Sequence, residues 1–370
     1  MFSYIRPVGE SISIRQGGPI DDYVTYDTQL YSSGTMALQQ ALSLAKENTH
    51  LSRPEVLLPA YACPDLISAC VGAGVNAILF DLDSTISPFP SIETIKQHTN
   101  ENTIAVILVN FLGISPEAKL FDAIKELELL VIEDRAQCFI APEEASQLNG
   151  DYVIFSFGKG KPVSLLGGGA LLVKGHKNSL LSADHQTIGE RNSKLPWLIR
   201  LYNLIILPFF YYLLMKIPGL SIGETHYHAP EAITLMDSSR RTLLQSNIEK
   251  QYLSLSRSAQ GQLYAMCNRL SGIQALGNSE LTPSLLRFPL LCKDRESRDL
   301  ILSKLHQQGI GASRMYQTIL PNIKDTPLSE SQRQKNYPNA QNFADRLLTL
   351  PCHSDVNTAS LRKIANIFKA

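Results

Sequence analysis

Short apolar runs alternate with segments of helical periodicity along the first half of the chain. The runs are rich in Val, Ile, Leu and Phe, which is typical of strands buried on both faces of a sheet. Six strands are predicted, over Val56–Leu58, Ala77–Phe80, Ile104–Val109, Leu129–Ile132, Val153–Phe157 and Ala170–Val173. Pro64–Gly72 and Lys119–Leu127 lie between them and are predicted to be crossover helices. The alternation predicts an α/β fold with a mostly parallel sheet that is covered on both faces.

The pattern changes after residue 230. Residues 231–270 are polar and helix-like and carry no strand signal. The elements predicted beyond them are a strand over Leu285–Leu291, a helix over Asp294–Gln308, a short strand over Leu348–Leu350 and a closing helix over Thr358–Phe368. We therefore expect a large domain over residues 1–240 and a small C-terminal α+β domain over 241–370, joined by a long helix.

Residues 197–220 form an apolar insertion in the large domain. No charged residue lies from Leu201 to Met215, and Arg200 and Lys216 flank this run. The run is shorter than the roughly 20 residues that a spanning helix needs, and Pro208 interrupts it. Three interpretations stay open: a buried helix pair or dimer contact, a segment seated at a membrane interface, and a full span.

Composition narrows the function classes. Lys plus Arg and Asp plus Glu number 34 each, so the chain lacks the basic excess typical of nucleic-acid binding, and no nucleic-acid partner is expected. The six cysteines form no CxxC pair and no metal-ligand spacing, which predicts free thiols in a reducing compartment. The N-terminal residues lack the apolar run of a signal peptide, so a cytoplasmic location is expected.

Candidate chemistry lies where predicted strands end, because ligands of parallel sheets bind at the carboxyl ends of the strands. One strand delivers Glu133 and Asp134 to such an end. A carboxylate there can pair with the protonated ring nitrogen of a cofactor and keep the ring an electron sink. A metal ligand or a helix cap would use the same residue type, and the pattern alone does not separate these roles.

Two further loops have the residue types of a phosphate site and of a reactive lysine. Gly34 and Thr35 begin an amphipathic helix, whose free N–H groups and dipole favour a phosphate, although a plain helix cap has the same pattern. Ser156 follows another strand and can also contact phosphate. Lys161 lies five residues later, where a packed sheet edge favours the neutral amine that a nucleophilic lysine requires. A solvated basic turn is the alternative.

A glycine turn, Gly167-Gly168-Gly169, completes the set, because glycines allow positive φ and close backbone approach. The order of the four features within an α/β pattern is more specific than any one of them. In these features the chain resembles the DegT/DnrJ/EryC1/StrS aminotransferases, pyridoxal-phosphate (PLP) enzymes that aminate keto sugars attached to nucleotides. The resembling segments are Ser33–Leu38 (SGT-x-AL in the family), Pro59–Asp83, Val131–Cys138 (viEDaAqa), Phe155–Lys161 (FSF-x-x-x-K), Gly167–Ala170, Tyr337–Ala340 and Leu350–His353.

The resemblance implies the aspartate-aminotransferase fold (fold type I), normally a homodimer with active sites at the interface. It implies PLP as the cofactor, an amino-acid donor such as L-glutamate, and a keto-sugar acceptor on a nucleotide or similar carrier in surface polysaccharide or glycan synthesis. It assigns six site residues: Lys161 as the catalytic lysine that carries the cofactor and shuttles a proton, Asp134 as the partner of the ring nitrogen, Gln137 near the ring hydroxyl or ring face, and Gly34, Thr35 and Ser156 as phosphate ligands.

The chain also departs from the family pattern. Arg135 stands where the family has a small residue, Gly168 where it has an acid, and Cys63, with Tyr61 close by, where an aromatic commonly stacks on the cofactor. The family's G-x-N-x-R segment has its best local match at 223–228, where the roles of His226 and His228 stay open.

Two rival functions therefore stand beside amino transfer. One is a PLP-dependent sugar dehydratase, although such relatives have His in place of the lysine. The other is a sensor or membrane-associated scaffold that keeps the fold without transaminase activity. The insertion at 197–220 adds the expectation of a peripheral membrane contact, which would place the protein at the inner face of the membrane.

Overall fold

The computed structural model describes residues 4–18, 20, 22–175, 187–189, 192–217, 225–254, 257–277 and 284–369. Within these ranges the chain forms two β-sheets surrounded by helices. The match to the G-x-N-x-R segment begins at Gly223 and Glu224, which lie outside the described residues.

The larger sheet has nine strands in the order β3-β2-β4-β5-β6-β7-β1-β9-β8. Its strands are β1 Tyr26–Tyr31, β2 Glu55–Pro59, β3 Asn76–Phe80, β4 Thr103–Val109, β5 Leu130–Asp134, β6 Tyr152–Ser156, β7 Gly169–Lys174, β8 Thr187–Ile188 and β9 Thr234–Leu235. Strands β3, β2, β4, β5 and β6 are mutually parallel, whereas β7 is antiparallel to both β6 and β1. The carboxyl ends of the parallel strands therefore meet at one edge, which we call the carboxyl edge.

The smaller sheet is antiparallel and has three strands, with β11 in the centre. Its strands are β10 Ile273–Ala275, β11 Phe288–Cys292 and β12 Leu347–Leu350. The helices are α1 Gly34–Glu47, α2 Asp65–Ala73, α3 Ile92–His98, α4 Ala118–Lys125, α5 Leu195–Ile205, α6 Pro208–Leu214, α7 Ser238–Ser254, α8 Arg257–Cys267, α9 Arg295–Gln307, α10 Glu330–Gln334, α11 Pro338–Arg346 and α12 Thr358–Lys369, with 3₁₀ turns at Pro142–Gln147 and Leu320–Asn322.

The predicted α/β class with a mostly parallel sheet is confirmed, and helices cover both faces of that sheet. Leu57 and Val106 pack in the cluster that contains α4, while their neighbours Leu58 and Ile107 pack in the cluster with α1 and α2. This alternation follows from the two-residue period of a strand, and it explains why these strands are apolar throughout.

The structure differs from the prediction at five strands, of which the short strands β8 and β10 were not predicted. β1 was missed because Asp27, Thr28 and Gln29 interrupt its apolar pattern, yet it pairs with β7 along its whole length. The expectation of no strand in residues 231–270 is wrong at β9, which pairs with β1 and β8. β11 begins later than predicted because the N–H groups of Leu285 and Leu286 bind Gln260 Oε1 and the Leu112 carbonyl instead of a neighbouring strand.

Helices α5 and α6 correspond to the apolar insertion. They are tied to the N-terminal residues, since Ile12 and Asn203 exchange two hydrogen bonds of 2.8 Å and the Tyr4 N–H donates to the Pro208 carbonyl. The interpretation as a buried helix pair is wrong for their outer face, where Trp197 is 62% exposed. Among the described residues no single helix has the length and hydropathy to cross a membrane, and α5 and α6 meet these criteria only as a pair bent by 91°.

Candidate active site

Asp134 is the last residue of β5 and lies buried at the carboxyl edge. Its Oδ1 accepts a hydrogen bond of 2.8 Å from the Ala136 N–H, and its Oδ2 has no partner in the described part of the chain. Burial raises the pKa of Asp134, and the positive charge of Lys161 opposes this rise. The carboxylate therefore needs a positive partner, which a protonated ring nitrogen would supply.

Glu133 and Arg135 flank Asp134 and point to the opposite face of the sheet, because strand side chains alternate. Both are buried, and Arg135 Nε donates to Glu133 Oε1 at 2.6 Å. Glu133 Oε2 also accepts from the N–H groups of Asn149 and Gly150. Arg135, which departs from the family pattern, thus forms a buried ion pair with Glu133 on the opposite face of the sheet. It does not occupy the face on which Asp134 lies.

Gly34, Ser156 and Gly169 come together where α1 begins beside β6 and β7. A Cβ added to Gly34 would lie 2.7 Å from Ser156 Cβ, and one added to Gly169 would lie 2.6 Å from Gly34 Cα. Only glycines permit this approach. Ser33 Oγ caps α1 by accepting from the Met36 N–H, and Thr35 lies in the first turn, whose N–H groups lack partners within the helix. The predicted phosphate residues therefore form one small cradle.

The turn before β7 needs its glycines. Gly167 and Gly168 have φ of +154° and +103°. A Cβ at Gly168 would lie 2.6 Å from Met236 Cε, so the acid of the family pattern does not fit here unless Met236 moves. The Gly168 N–H donates to the Ser32 carbonyl at 2.7 Å, and this bond holds the turn against the start of α1.

Lys161 lies in a tight turn after β6. Its N–H donates to the Gly158 carbonyl at 3.3 Å, and Gly160 has a φ of +72°, which favours glycine. Gly158 lies between the cradle and the lysine, because a Cβ there would be 3.5 Å from Ser156 Oγ and 3.9 Å from Lys161 Cγ. Lys161 is partly buried and its Nζ has no partner within the described ranges, whereas Lys159 is exposed.

Cys63, rather than Tyr61, is the residue beside Asp134 and Lys161. Burial raises the pKa of the Cys63 thiol to about 12, and the charges of Asp65, Lys161 and Asp134 act on it in the same pocket. Tyr61 is in the core, where its hydroxyl donates to the Arg314 carbonyl at 3.0 Å. All six cysteines have free thiols, as predicted.

Gln137 is buried and both ends of its amide are hydrogen-bonded to the protein. Its Oε1 accepts from the Leu112 N–H at 2.9 Å, and its Nε2 donates to the Tyr316 hydroxyl at 2.9 Å. Burial, Cys63 and Asp134 raise the pKa of Tyr316 well above its ordinary value, so its phenol stays protonated and can donate onward. Tyr316 was missed as a site residue because it follows no strand and belongs to no motif.

Arg287 was missed as well, and it precedes β11 on the small sheet. One nitrogen donates to Ser313 Oγ at 2.5 Å, while its buried Nε has no hydrogen-bond partner. Tyr211, Tyr316, Cys352 and Tyr61 surround it, and within the described ranges no carboxylate pairs with it. The charge of Arg287 acts on Tyr316, which is the hydrogen-bond partner of Gln137, so Arg287 lies near this pair and has no paired carboxylate within the described ranges.

His226 and His228 are both exposed. His226 lines a surface cavity of about 450 Å³ together with Tyr227 and residues 322–325, and His228 does not. The two histidines therefore do not form a paired site in this structure.

The arrangement fits PLP: a buried acid with an unpaired oxygen, a lysine with an unpaired amine and a glycine-lined cradle lie within one stretch of the carboxyl edge. The fold is shared with solved structures of low sequence identity. The Spr1654 protein of Streptococcus pneumoniae in its PMP form is 19% identical, with a TM-score of 0.69 over 94% of this chain and 88% of that chain. A PLP form of the same protein also matches.

Two further structures carry names that state an activity. The sugar aminotransferase CalS13 of Micromonospora echinospora is 16% identical, with a TM-score of 0.65 over 92% of this chain and 86% of that chain. Helicobacter pylori PseC, an aminotransferase involved in pseudoaminic acid biosynthesis, is 16% identical, with a TM-score of 0.64 over 97% and 98% of the two chains. No curated protein sequence matches the chain.

A family model matches residues 28–180 and 257–369, which is more than half of the chain. Fold and family together define a PLP-dependent aminotransferase of fold type I, as predicted. The chain belongs to the DegT/DnrJ/EryC1/StrS aminotransferase family. The unmatched residues between 180 and 257 contain α5, α6 and α7, so the exposed apolar helices lie outside the region that defines the family.

Proposed function

We propose that the protein transfers an amino group from L-glutamate to a keto sugar held on a nucleotide or similar carrier, in the synthesis of surface polysaccharide or glycan. The family and the sugar-related names of CalS13 and PseC support this proposal. One observation carries the proposal: Asp134 and Lys161 lie close together at the carboxyl edge, and neither Asp134 Oδ2 nor Lys161 Nζ has a hydrogen-bond partner among the described residues.

Each site residue is proposed to act through the contacts described above. Gly34, Thr35 and Ser156 hold the cofactor phosphate at the start of α1, and Asp134 keeps the ring nitrogen protonated. When bound, PLP supplies the electron sink for the amino transfer. Lys161 binds the cofactor through Nζ, and that amine then moves the proton at the reacting carbon. Cys63, a neutral thiol, contributes packing rather than charge.

Gln137 and Arg287 are proposed to act on the substrate side. Gln137 fixes the Tyr316 hydroxyl, and this phenol donates toward the ring hydroxyl or the substrate. Arg287 pairs with the carboxylate of the amino donor, because a planar guanidinium suits a carboxylate and the described residues offer it no other anion. Binding of the donor thereby compensates a buried positive charge, which supports an acidic amino acid as the donor.

We also propose a homodimer, a domain boundary near residue 240 within α7, and a position at the inner face of the membrane through a peripheral contact of residues 197–220. The family fold and the exposed apolar helices support these proposals. Residues 218–220 lie outside the described ranges, and the support for the contact comes from α5 and α6.

The first test is the absorption spectrum of the purified protein with added PLP, before and after excess L-glutamate. We expect a band of lysine-bound cofactor that glutamate shifts to the pyridoxamine form, after which a nucleotide-linked keto sugar restores the first band. Absence of the first band would overturn the enzyme assignment in favour of the scaffold. A band that glutamate leaves unchanged, but another amino acid shifts, would overturn only the donor.

The Arg287→Gln variant tests the donor site separately. We expect KM for L-glutamate to rise roughly tenfold or more, which corresponds to about 1.4 kcal/mol, while KM for the acceptor sugar stays within about twofold. A rise confined to the acceptor would assign Arg287 to the sugar carrier instead. Elimination of water from the sugar, without amino transfer, would identify the dehydratase.

A further inference from the structure

Helices α5 and α6, with the residues that adjoin them, expose large apolar side chains to solvent. The most exposed are Trp197 at 62%, Ile217 at 52%, Phe209 at 50%, Leu207 at 48% and Leu213 at 47%. Scattered single exposures are normal on proteins, but so many within one short segment are typical of an interaction surface. The partner must therefore be apolar at the point of contact.

Helix α5 is apolar on its inner side as well. Leu195 and Ile199 are buried against the large domain, while Trp197, Leu201 and Leu204 face outward. A surface helix normally has one apolar stripe, and a helix with apolar residues on two opposite sides needs cover on both. Within the part of the chain that the structure describes, only one side of α5 is covered, so its outer side is available to a partner.

The geometry of the pair suits the surface of a bilayer rather than its interior. With 11 and 7 residues, α5 and α6 are about 16 Å and 10 Å long. Neither reaches across a hydrocarbon core of about 30 Å. The two helices meet at an angle of 91°, and two short joined helices can both lie in the plane of an interface.

All charged residues of this segment are cations, which favours an anionic surface, and the nearby carboxylates of Glu10 and Asp355 are paired with Arg6. From residue 192 to 223 the sequence contains no Asp or Glu, while Lys194, Arg200 and Lys216 are present and exposed. Lys216 Nζ lies 5.4 Å from the centre of the Tyr212 ring, at the end of α6. Cations beside apolar and aromatic side chains match the boundary between lipid headgroups and acyl chains.

A cavity of about 420 Å³ opens beside this surface, between α6 and the helices of the small sheet. Its lining is mixed, and its polar and basic groups come from Lys216, Lys363, His306, Gln307 and Gln308. Tyr4, Tyr212 and Met215 supply apolar surface, the last two next to the exposed end of α6. A cavity that combines cations with apolar surface can take a phosphate headgroup while the acyl chains stay on the apolar side.

We propose that α5 and α6 lie in the surface of an anionic bilayer and that the cavity bounded by Lys216 and Lys363 binds the phosphate headgroup of one lipid. The inference rests on the proposed peripheral membrane contact and adds to it the site and the lipid class. It is independent of the amino-transfer chemistry at the carboxyl edge.

Vesicle co-sedimentation of the PLP-loaded protein tests the inference. One set of vesicles contains phosphatidylcholine alone, and the other contains phosphatidylcholine mixed with phosphatidylglycerol. We expect binding to the anionic vesicles to be roughly tenfold stronger or more. Added salt should reduce this difference, because screening acts on the charges and leaves the apolar contact in place.

Two pairs of variants separate the parts of the surface. Lys216→Ala/Lys363→Ala should reduce binding to anionic vesicles to the level of the neutral ones. The matched control, Lys96→Ala/Lys293→Ala, removes two exposed lysines elsewhere and should bind like the wild type. Phe209→Ser/Leu213→Ser should abolish binding to both kinds of vesicle, and an unchanged cofactor spectrum would show that each variant is folded.

The outcomes distinguish the lipid headgroup site from the membrane contact on which it rests. Equal binding of wild type and Lys216→Ala/Lys363→Ala to both vesicle types would overturn the headgroup site and keep the membrane contact. No binding of the wild type to any vesicle would overturn both. If, in addition, Phe209→Ser/Leu213→Ser splits a dimer into monomers during sedimentation, the surface contacts a second copy of the chain instead.

Discussion

The carboxyl edge of the large sheet and the helix pair α5–α6 differ in which groups they bury: the first buries charged groups, and the second exposes apolar ones. At the carboxyl edge, the carboxylate of Asp134 is buried, and one of its oxygens has no hydrogen-bond partner among the described residues. At the helix pair, apolar groups such as Trp197 and Phe209 are exposed to water. Both arrangements are unfavourable without a partner, so each region indicates what it binds: an ionised ring and an anion at the edge, and an apolar surface at the helices.

The largest effect is expected at Lys161, where the loss of one amine removes the attachment point of the cofactor. Lys161→Arg keeps the charge but should lower turnover at least about 1,000-fold, or about 4 kcal/mol in the barrier. Steady-state kinetics with absorption spectra would measure this. The exposed Lys159, two residues earlier, offers the control, and Lys159→Arg should change turnover less than about threefold. A loss in Lys159→Arg with normal turnover in Lys161→Arg would mean that the wrong lysine has been assigned.

The next effect concerns the buried charges beneath the edge. Arg135→Leu leaves Glu133 buried without its cation and should lower the free energy of unfolding by about 3 kcal/mol or more. Urea denaturation would detect this. The exposed pair of Lys119 and Glu117 is the comparison, and Lys119→Ala should leave the urea midpoint unchanged. A stable Arg135→Leu protein would show that the hydrogen bonds to Glu133 suffice.

A matched pair in α5 sharpens the contrast within the second region. Ile199 is fully buried and Leu204 is 44% exposed on the opposite side of the same helix. Ile199→Ala should lower the free energy of unfolding by about 3 kcal/mol, and Leu204→Ala by less than about 0.5 kcal/mol. Thermal or urea unfolding without lipid would measure both. A large loss for Leu204→Ala would mean that the outer side is covered, for instance by a second copy.

The smallest effect is a pH dependence at the junction of the two regions. Burial and the charge of Arg6 lower the pKa of His353, whose ring bonds the Arg6 carbonyl. Below pH about 6.5 His353 is protonated in the unfolded chain but stays neutral in the folded protein. The free energy of unfolding should therefore fall by about 1.4 kcal/mol per pH unit as the pH is lowered. Urea titrations of wild type and His353→Asn should differ in this slope. The exposed His50, changed to Asn, should leave the slope as it is.

The sequence was informative wherever a pattern is local. Runs such as Ile104–Val109 are apolar on both faces and predict buried parallel strands. Asp134 and Ser156 end two other strands of this kind, and they lie at the carboxyl edge, where ligands of parallel sheets bind. β1 was not predictable in this way, because its stability comes from pairing with β7 and β9 rather than from its own composition.

The site was only partly predictable for the same physical reason. Tyr316 and Arg287 approach Gln137 and the carboxyl edge through a chain of hydrogen bonds that joins distant parts of the sequence. Nothing in their neighbours marks them. The direction of Arg135 was likewise hidden, although the alternation of side chains along β5 could have placed it beneath the sheet, with Glu133 as its partner.

The N-terminal residues have a mechanical consequence. Ile5 is bonded to Gly309 and Gly311 of the small-sheet region, while Arg6 binds both the Ile206 carbonyl at the end of α5 and Asp355. A single short stretch thus joins the exposed apolar helices to the small-sheet region that contains Arg287. A force on α5 and α6 would be transmitted through these few bonds. The N-terminal stretch therefore couples the position of the helix pair to that of the small sheet.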